Sequence, residues 1–153
     1  MTEDKTGVPF VYASDEALIV PIRSDGDIIL IVEPSAAFDE DVLLLPGGSV
    51  EPNEDASMTA HRELQEEVGV KAARLDYLGE VRPWSKYLHV RSHIYLARDL
   101  TEAQAQGDEP YVIQQMAVSP DRAQQLIAEG TLRDARVIVA LQMMRARLSA
   151  ESA

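Results

Sequence analysis

The 153-residue chain contains no cysteine. A disulfide framework, a thiolate metal site and a thiol nucleophile are therefore excluded, and any metal must be held by oxygen or histidine ligands. Basic residues are few: 14 Lys and Arg stand against 26 Asp and Glu, giving a formal net charge of −12 and a pI of ≈ 4.6. That balance opposes attraction to nucleic acid and to anionic membrane surfaces, so neither is an expected partner. No apolar run approaches the roughly 20 residues that span a bilayer. Met1 to Pro9 carries Glu3, Asp4 and Lys5 and has no apolar stretch with a small-residue cleavage site, so it does not read as a signal peptide, and a cytoplasmic location is expected. Repeats, low-complexity tracts and long linkers are also missing. With 46% hydrophobic residues, the expectation is one domain over residues 1–153, with a short N-terminal extension of about 1–15.

Two β-branched apolar runs, Ala17 to Arg23 and Ile28 to Val32, flank Ser24-Asp25-Gly26-Asp27 and predict a β-hairpin with Gly26 in the turn. Val42 to Leu45 reads as a short strand that gives way to a loop at Pro46-Gly47-Gly48. From Asp55 to Val68 the period changes: Ala56, Ala60, Leu64 and Val68 recur at fours and Gly69 follows, which predicts an amphipathic helix with its C-cap. Leu75 to Val81 and Leu88 to Leu96 return to strand composition, the second alternating apolar residues with His89, Arg91, His93 and Tyr95. Val112 to Val118 is a further strand. Ser119-Pro120 opens a helix that Gly130 closes, and a last helix covers roughly Arg133 to Leu148. The order predicts an α+β sandwich around a mixed sheet.

Chemistry concentrates between Gly48 and Val70. On a helix advancing about 100° per residue, Glu63, Glu66 and Glu67 face one space, and such a gathering of like charge needs a cation. Hard oxygen donors without cysteine point to Mg²⁺, with Mn²⁺ as the alternative. The competing reading is a solvated acidic face. It accounts poorly for a surface on which Arg62 is the one cation among Glu54, Asp55, Glu63, Glu66 and Glu67.

The segment runs glycine, five residues, Glu54, seven residues, then Arg62-Glu63-Leu64-Gln65-Glu66-Glu67-Val68-Gly69-Val70. It resembles the Nudix box at every specified position. The resemblance implies an α/β/α sandwich and a hydrolase of nucleoside diphosphates linked to a second moiety. It also implies that Glu63, Glu66 and Glu67 are metal-binding carboxylates, that Gly47 offers its carbonyl, and that Arg62 and Glu54 orient the glutamates. The proton acceptor is either Glu63 or Glu109 of the Gly107-Asp108-Glu109-Pro110 loop, and metal binding would make Glu63 a poor base. Glu16 to Val32, the Gly107 to Pro110 loop and Ala128 to Leu141 are similar to the branch that hydrolyses ADP-ribose and other ADP compounds. Three departures stand out: only sixteen residues precede Ala17, the arginine-rich stretch after the second strand is here Val32-Glu33-Pro34-Ser35, and a proline that often follows the box finds its counterpart at Pro83, displaced by two residues. A small-molecule nucleotide partner and a homodimer follow from the resemblance.

Between Val81 and Arg98 there is no acid. Arg82 and Lys86 are candidate phosphate contacts, and Trp84 and Tyr87 are candidates for stacking on a base or sugar. The bland readings are an exposed strand face, favoured for Arg98, and a Trp84 that closes the core, which is slightly favoured. Dinucleoside polyphosphates or oxidised nucleoside triphosphates remain alternative substrates, and a non-catalytic nucleotide-sugar sensor is the alternative from another class.

Overall fold

The computed structural model describes the backbone of residues 2–3 and all of residues 6–153. The charges of Glu3, Asp4 and Lys5 that entered the N-terminal reading lie outside the described side chains. The elements in order are β1 (Thr2–Glu3), β2 (Pro9–Tyr12), β3 (Glu16–Pro21), β4 (Ile28–Ser35), β5 (Glu40–Leu44), β6 (Gly47–Ser49), α1 (Ala56–Glu63), a π-helical turn (Leu64–Val68), β7 (Val70–Val81), β8 (Leu88–His89), β9 (Ser92–Glu102), β10 (Gln114–Val118), α2 (Pro120–Ala128) and α3 (Ala135–Glu151).

The central sheet has the order β6-β3-β9-β7, with β3 and β9 parallel and the other pairs antiparallel. A second sheet, β10-β4-β5, is antiparallel throughout, and a small one joins β1, β2 and β8. Alternation along β3 and β9 explains the layers. Leu18, Val20, Ile94 and Leu96 point into one core with Leu126, Val137, Leu141 and Met144 of α2 and α3. Ala17, Ile19, Tyr95 and Ala97 point the other way, onto Ala60, Leu64 and Val68. A sheet covered on both faces reads as a continuous apolar run, as β3 does. Each fully buried Ile or Leu contributes about 1.5–3 kcal/mol of transfer free energy.

The structure corrects the sequence reading in four places. The turn at Gly26 forms, with φ +91°, but β3 and β4 touch through one isolated bridge, Ile22 with Ile28, and then diverge into different sheets. Both runs are apolar on two faces, so each belongs inside a sheet of its own. The loop expected at Pro46-Gly47-Gly48 shrinks to Leu45-Pro46, because Gly47–Ser49 pairs with β3. The run Leu88 to Leu96 breaks at Val90-Arg91 into β8, which joins β2, and β9, which joins β3 and β7. The polar face expected along this run is buried at Tyr95. Finally, the helix over Asp55 to Val68 is α-helical only to Glu63. Its start follows expectation, with Asp55 accepting the Met58 N–H at 2.9 Å. Among the described residues no helix is long and apolar enough to cross a membrane.

Candidate active site

The glutamate-bearing helix widens where its chemistry lies. Over Leu64–Val68 the turn is π-helical and closes on Gly69, whose N–H returns to the Leu64 carbonyl and whose φ of +74° suits glycine. The carbonyls this turn leaves over are taken from outside. Gln115 on β10 donates to Val68 O at 3.0 Å and Glu67 O at 3.4 Å, and the Ala105 N–H reaches Gln65 O at 3.2 Å. The segment carrying Glu66 and Glu67 is thus tied to both ends of the 103–113 loop, on which Glu109 sits.

Arg62 is a hub. Its Nε and Nη2 make a fork on Glu54 at 2.8 and 3.1 Å, and Nη1 reaches Glu63 Oε1 at 2.8 Å and Glu66 Oε2 at 3.3 Å. Arg62 and a Thr59 hydroxyl hydrogen bond hold the Glu54 carboxyl down at about 2. The same contacts hold the guanidinium charged. Replacing Arg62 with alanine is expected to lower kcat/KM about 10–100-fold, because the Glu63 and Glu66 carboxylates lose the guanidinium that fixes them. Lysine, with no fork, should restore less than half of the lost activity in logarithmic terms, measured on a matched substrate titration.

Glu63 and Glu67 are 6% and 5% exposed. This corrects the picture of an exposed acidic face. Burial pushes Glu63 up to about 7, against the pull of Arg62, with Glu66 and Glu109 adding repulsion. Burial likewise pushes Glu67 up to about 9, against the hydrogen bond from Gly47 N–H at 2.9 Å, with Glu63, Glu33 and Glu109 adding repulsion. The two glycines are required by proximity. A Cβ on Gly48 would stand 2.1 Å from Glu63 Oε1, and one on Gly47 would stand 2.3 Å from the Ala17 carbonyl oxygen.

One oxygen each of Glu33, Glu67 and Glu109 lie within 4.8 Å of one another. The structure therefore brings Gly47, Glu54, Arg62, Glu63, Glu66, Glu67 and Glu109 together, and adds Glu33. Sequence reading missed Glu33 as a site residue; its one signal was a departure from the arginine-rich stretch. Beside Glu33 a groove of ≈ 590 Å³ runs between Phe38, Val42 and Leu43 of the β4–β5 hairpin and Arg133 and Ala135 before and at the start of α3.

The predicted substrate loop lies elsewhere. Arg82 pairs with Glu80 at 2.8 Å, Lys86 sits 5.1 Å over the Tyr87 ring, and Trp84 meets Tyr87 edge-on at 5.2 Å. Arg82 and Lys86 line a separate cleft of ≈ 190 Å³ with Phe10, His89 and Arg91. Among the described residues no hydrogen bond or ion pair joins this loop to the carboxylates. Trp84 is 60% exposed, so it does not close the core; it follows the end of β7, beyond the two covered faces of the sheet. Arg98 is not on an exposed face either, being clamped between Asp76 and Glu151.

The NUDIX domain family matches residues 14–141. ADP compounds hydrolase NudE of Escherichia coli (strain K12) is 30% identical over 131 residues, covering 86% of this chain and 70% of that protein. ADP-ribose pyrophosphatase of Bacillus subtilis (strain 168) is 25% identical over 129 residues, covering 83% and 70%. A crystal structure of an ADP compounds hydrolase superposes with a TM-score of 0.85 at 29% identity, covering 97% of this chain and 83% of that one. The mixed sheet between helices is the Nudix α/β/α sandwich. The chain belongs to the Nudix family and is a hydrolase of phosphorus-containing anhydrides.

Proposed function

We propose that residues 1–153 work as one Nudix domain that splits ADP-ribose or another nucleoside diphosphate sugar into a nucleoside monophosphate and a sugar phosphate, using Mg²⁺, with Mn²⁺ able to replace it. The likeness to ADP compounds hydrolases over most of the chain carries the substrate class. The donor set fits a hard divalent ion, because it consists of carboxylates and a backbone carbonyl, and of the carboxylates gathered here Glu33, Glu67 and Glu109 pair with no cation among the described residues. Glu63, Glu66, Glu67 and the Gly47 carbonyl would hold it. When bound, the ion neutralises the diphosphate and acidifies a water for attack on phosphorus.

Glu109 takes the proton of the attacking water. Glu63 is the weaker choice for that step, since Arg62 donates to one of its oxygens and Gly48 closes on its carboxyl group. The groove that starts at Glu33 is large enough for a nucleoside or sugar flanking the diphosphate. It is a better seat than the cleft of Arg82 and Lys86. A homodimer in a cytoplasmic setting completes the reading.

The test is turnover of ADP-ribose, other nucleotide sugars, dinucleoside polyphosphates and nucleoside triphosphates, with Mg²⁺ and after EDTA treatment. Release of AMP from ADP-ribose, lost with EDTA and regained with Mg²⁺, is the expected result. Turnover confined to triphosphates or dinucleotides would discard the substrate class and keep the hydrolase.

A further inference from the structure

The carboxylates at this end of the sheet divide according to what neutralises them. Glu54, Glu63 and Glu66 each reach the Arg62 guanidinium, at 2.8, 2.8 and 3.3 Å. Glu33, Glu67 and Glu109 make no ion pair among the described residues, although their oxygens lie within 4.8 Å of one another. Their partners there are neutral: the Gly47 N–H on one Glu67 oxygen, and the Tyr111 hydroxyl on Glu33 Oε1 at 3.5 Å. Glu67 itself is 5% exposed, so its carboxylate sits at the buried end of this group. Three like charges at this spacing repel one another unless a cation lies among them.

Glu33 is held more rigidly than a loop ligand. It pairs with Val42 of β5, and its neighbour Val32 pairs with Gln114 of β10, so β4 is fixed by ladders on both edges. The carboxylate is delivered from the central strand of a sheet, on the face of β4 that Ile29 and Ile31 turn toward Leu64 and Val68. That is the placement expected of a residue that completes a coordination shell, since sites on strands hold their geometry better than sites on loops. The arginine-rich stretch of related sequences would put positive charge here; Val32-Glu33-Pro34-Ser35 puts a negative one.

We infer that Glu33, from outside the Nudix box, is a ligand of the catalytic divalent cation, sharing that ion with Glu67 across the gap between β4 and the π-helical turn. The inference rests on the metal-site reading above. The ion would then draw carboxylates from two elements, β4 and the π-helical turn.

The test is Mn²⁺ binding to EDTA-stripped protein, followed by the electron paramagnetic resonance signal of free Mn²⁺ and by calorimetry. Glu33→Gln should bind at least about tenfold more weakly or lose one ion per chain. Glu33→Asp, which keeps the charge on a shorter arm, should fall between the two. Glu129→Gln, on an exposed carboxylate at the far end of α2, should bind as wild type does. Wild-type Mn²⁺ binding by Glu33→Gln, alongside a loss in Glu67→Gln, would overturn the role of Glu33 and leave the metal site standing. Wild-type binding by both would overturn the metal site itself. If the Glu33 variants do not fold, anomalous diffraction from Mn²⁺-soaked wild-type crystals decides: a manganese peak in contact with Glu67 and not Glu33 overturns the inference.

Discussion

Replacing Glu67 with glutamine is expected to lower kcat/KM by about a thousandfold or more while leaving the fold intact. The side chain is buried, so a smaller residue would leave a hole, but glutamine fills the same volume. Its carbonyl oxygen can still accept the Gly47 N–H. What is lost is the charge. In the metal-free protein that charge is a burden, and the direction can be worked out. Burial holds Glu67 up at about 9 and Glu63 at about 7, against an ordinary 4.5, so between these values the folded state binds more protons than the unfolded chain. The stability these groups contribute is complete below about pH 4.5 and is lost as the pH rises through about 7 and about 9. EDTA-treated wild type should therefore melt at progressively lower temperature from pH 5 to pH 9. The glutamine variant should show a shallower slope and a higher melting temperature at pH 8. Full activity in this variant would remove Glu67 from the site; an unchanged slope would mean that water reaches the carboxyl and the burial is ineffective.

Glu109→Gln should lower kcat by about 10²–10⁴-fold, the usual contribution of a positioned general base, with little change in KM. The residue lies on the loop between β9 and β10, outside both hydrophobic cores, so the melting temperature should hold. The measurement that gives the result its meaning is Mn²⁺ affinity. A base that does not ligate leaves it within about threefold of wild type, well short of the loss expected when a ligand or its support is removed. If affinity falls in parallel with kcat, Glu109 is a ligand, and Glu63 becomes the proton acceptor.

Much of this site was legible because its parts are close in sequence. Glu54, Arg62, Glu63, Glu66 and Glu67 belong to one loop-helix unit whose spacing is set by helical geometry, and the Asp55 and Ser119 caps and the Gly26 turn are local chemistry of the same sort. Glu109 was within reach because its loop keeps a resemblance of its own. Glu33 was not, because its place depends on the pairing of β4 with two strands, one of them far away in the chain. The π-helical turn was hidden for a related reason. Its register is held by Gln115 and Ala105, neither of which the Glu63-to-Val68 sequence can announce. Alternation misled at Leu88 to Leu96 and at the β3–β4 turn, since a run apolar on both faces does not say which sheet it enters. Trp84 misled through composition, a lone tryptophan being more often buried than not.

The parallel ladder of β3 and β9 sets the order in which the molecule is made. Glu16 faces Ser92 across 76 positions of sequence, whereas β4 and β5 close over a turn of a few residues. Long-range pairings of this kind form late, because the intervening chain must lose its freedom before the contact returns anything. On the ribosome, a chain that has reached His89 already contains every residue of the glutamate helix and the strand it packs on. It still lacks the partner strand that fixes β3, and with it the base on which Gly47 presents its N–H to Glu67. Until β9 emerges, β3 keeps an unpaired edge, and its face toward α2 and α3 stays uncovered until those helices follow, so the interval before site assembly is also the interval in which this otherwise highly charged chain is most prone to associate with itself.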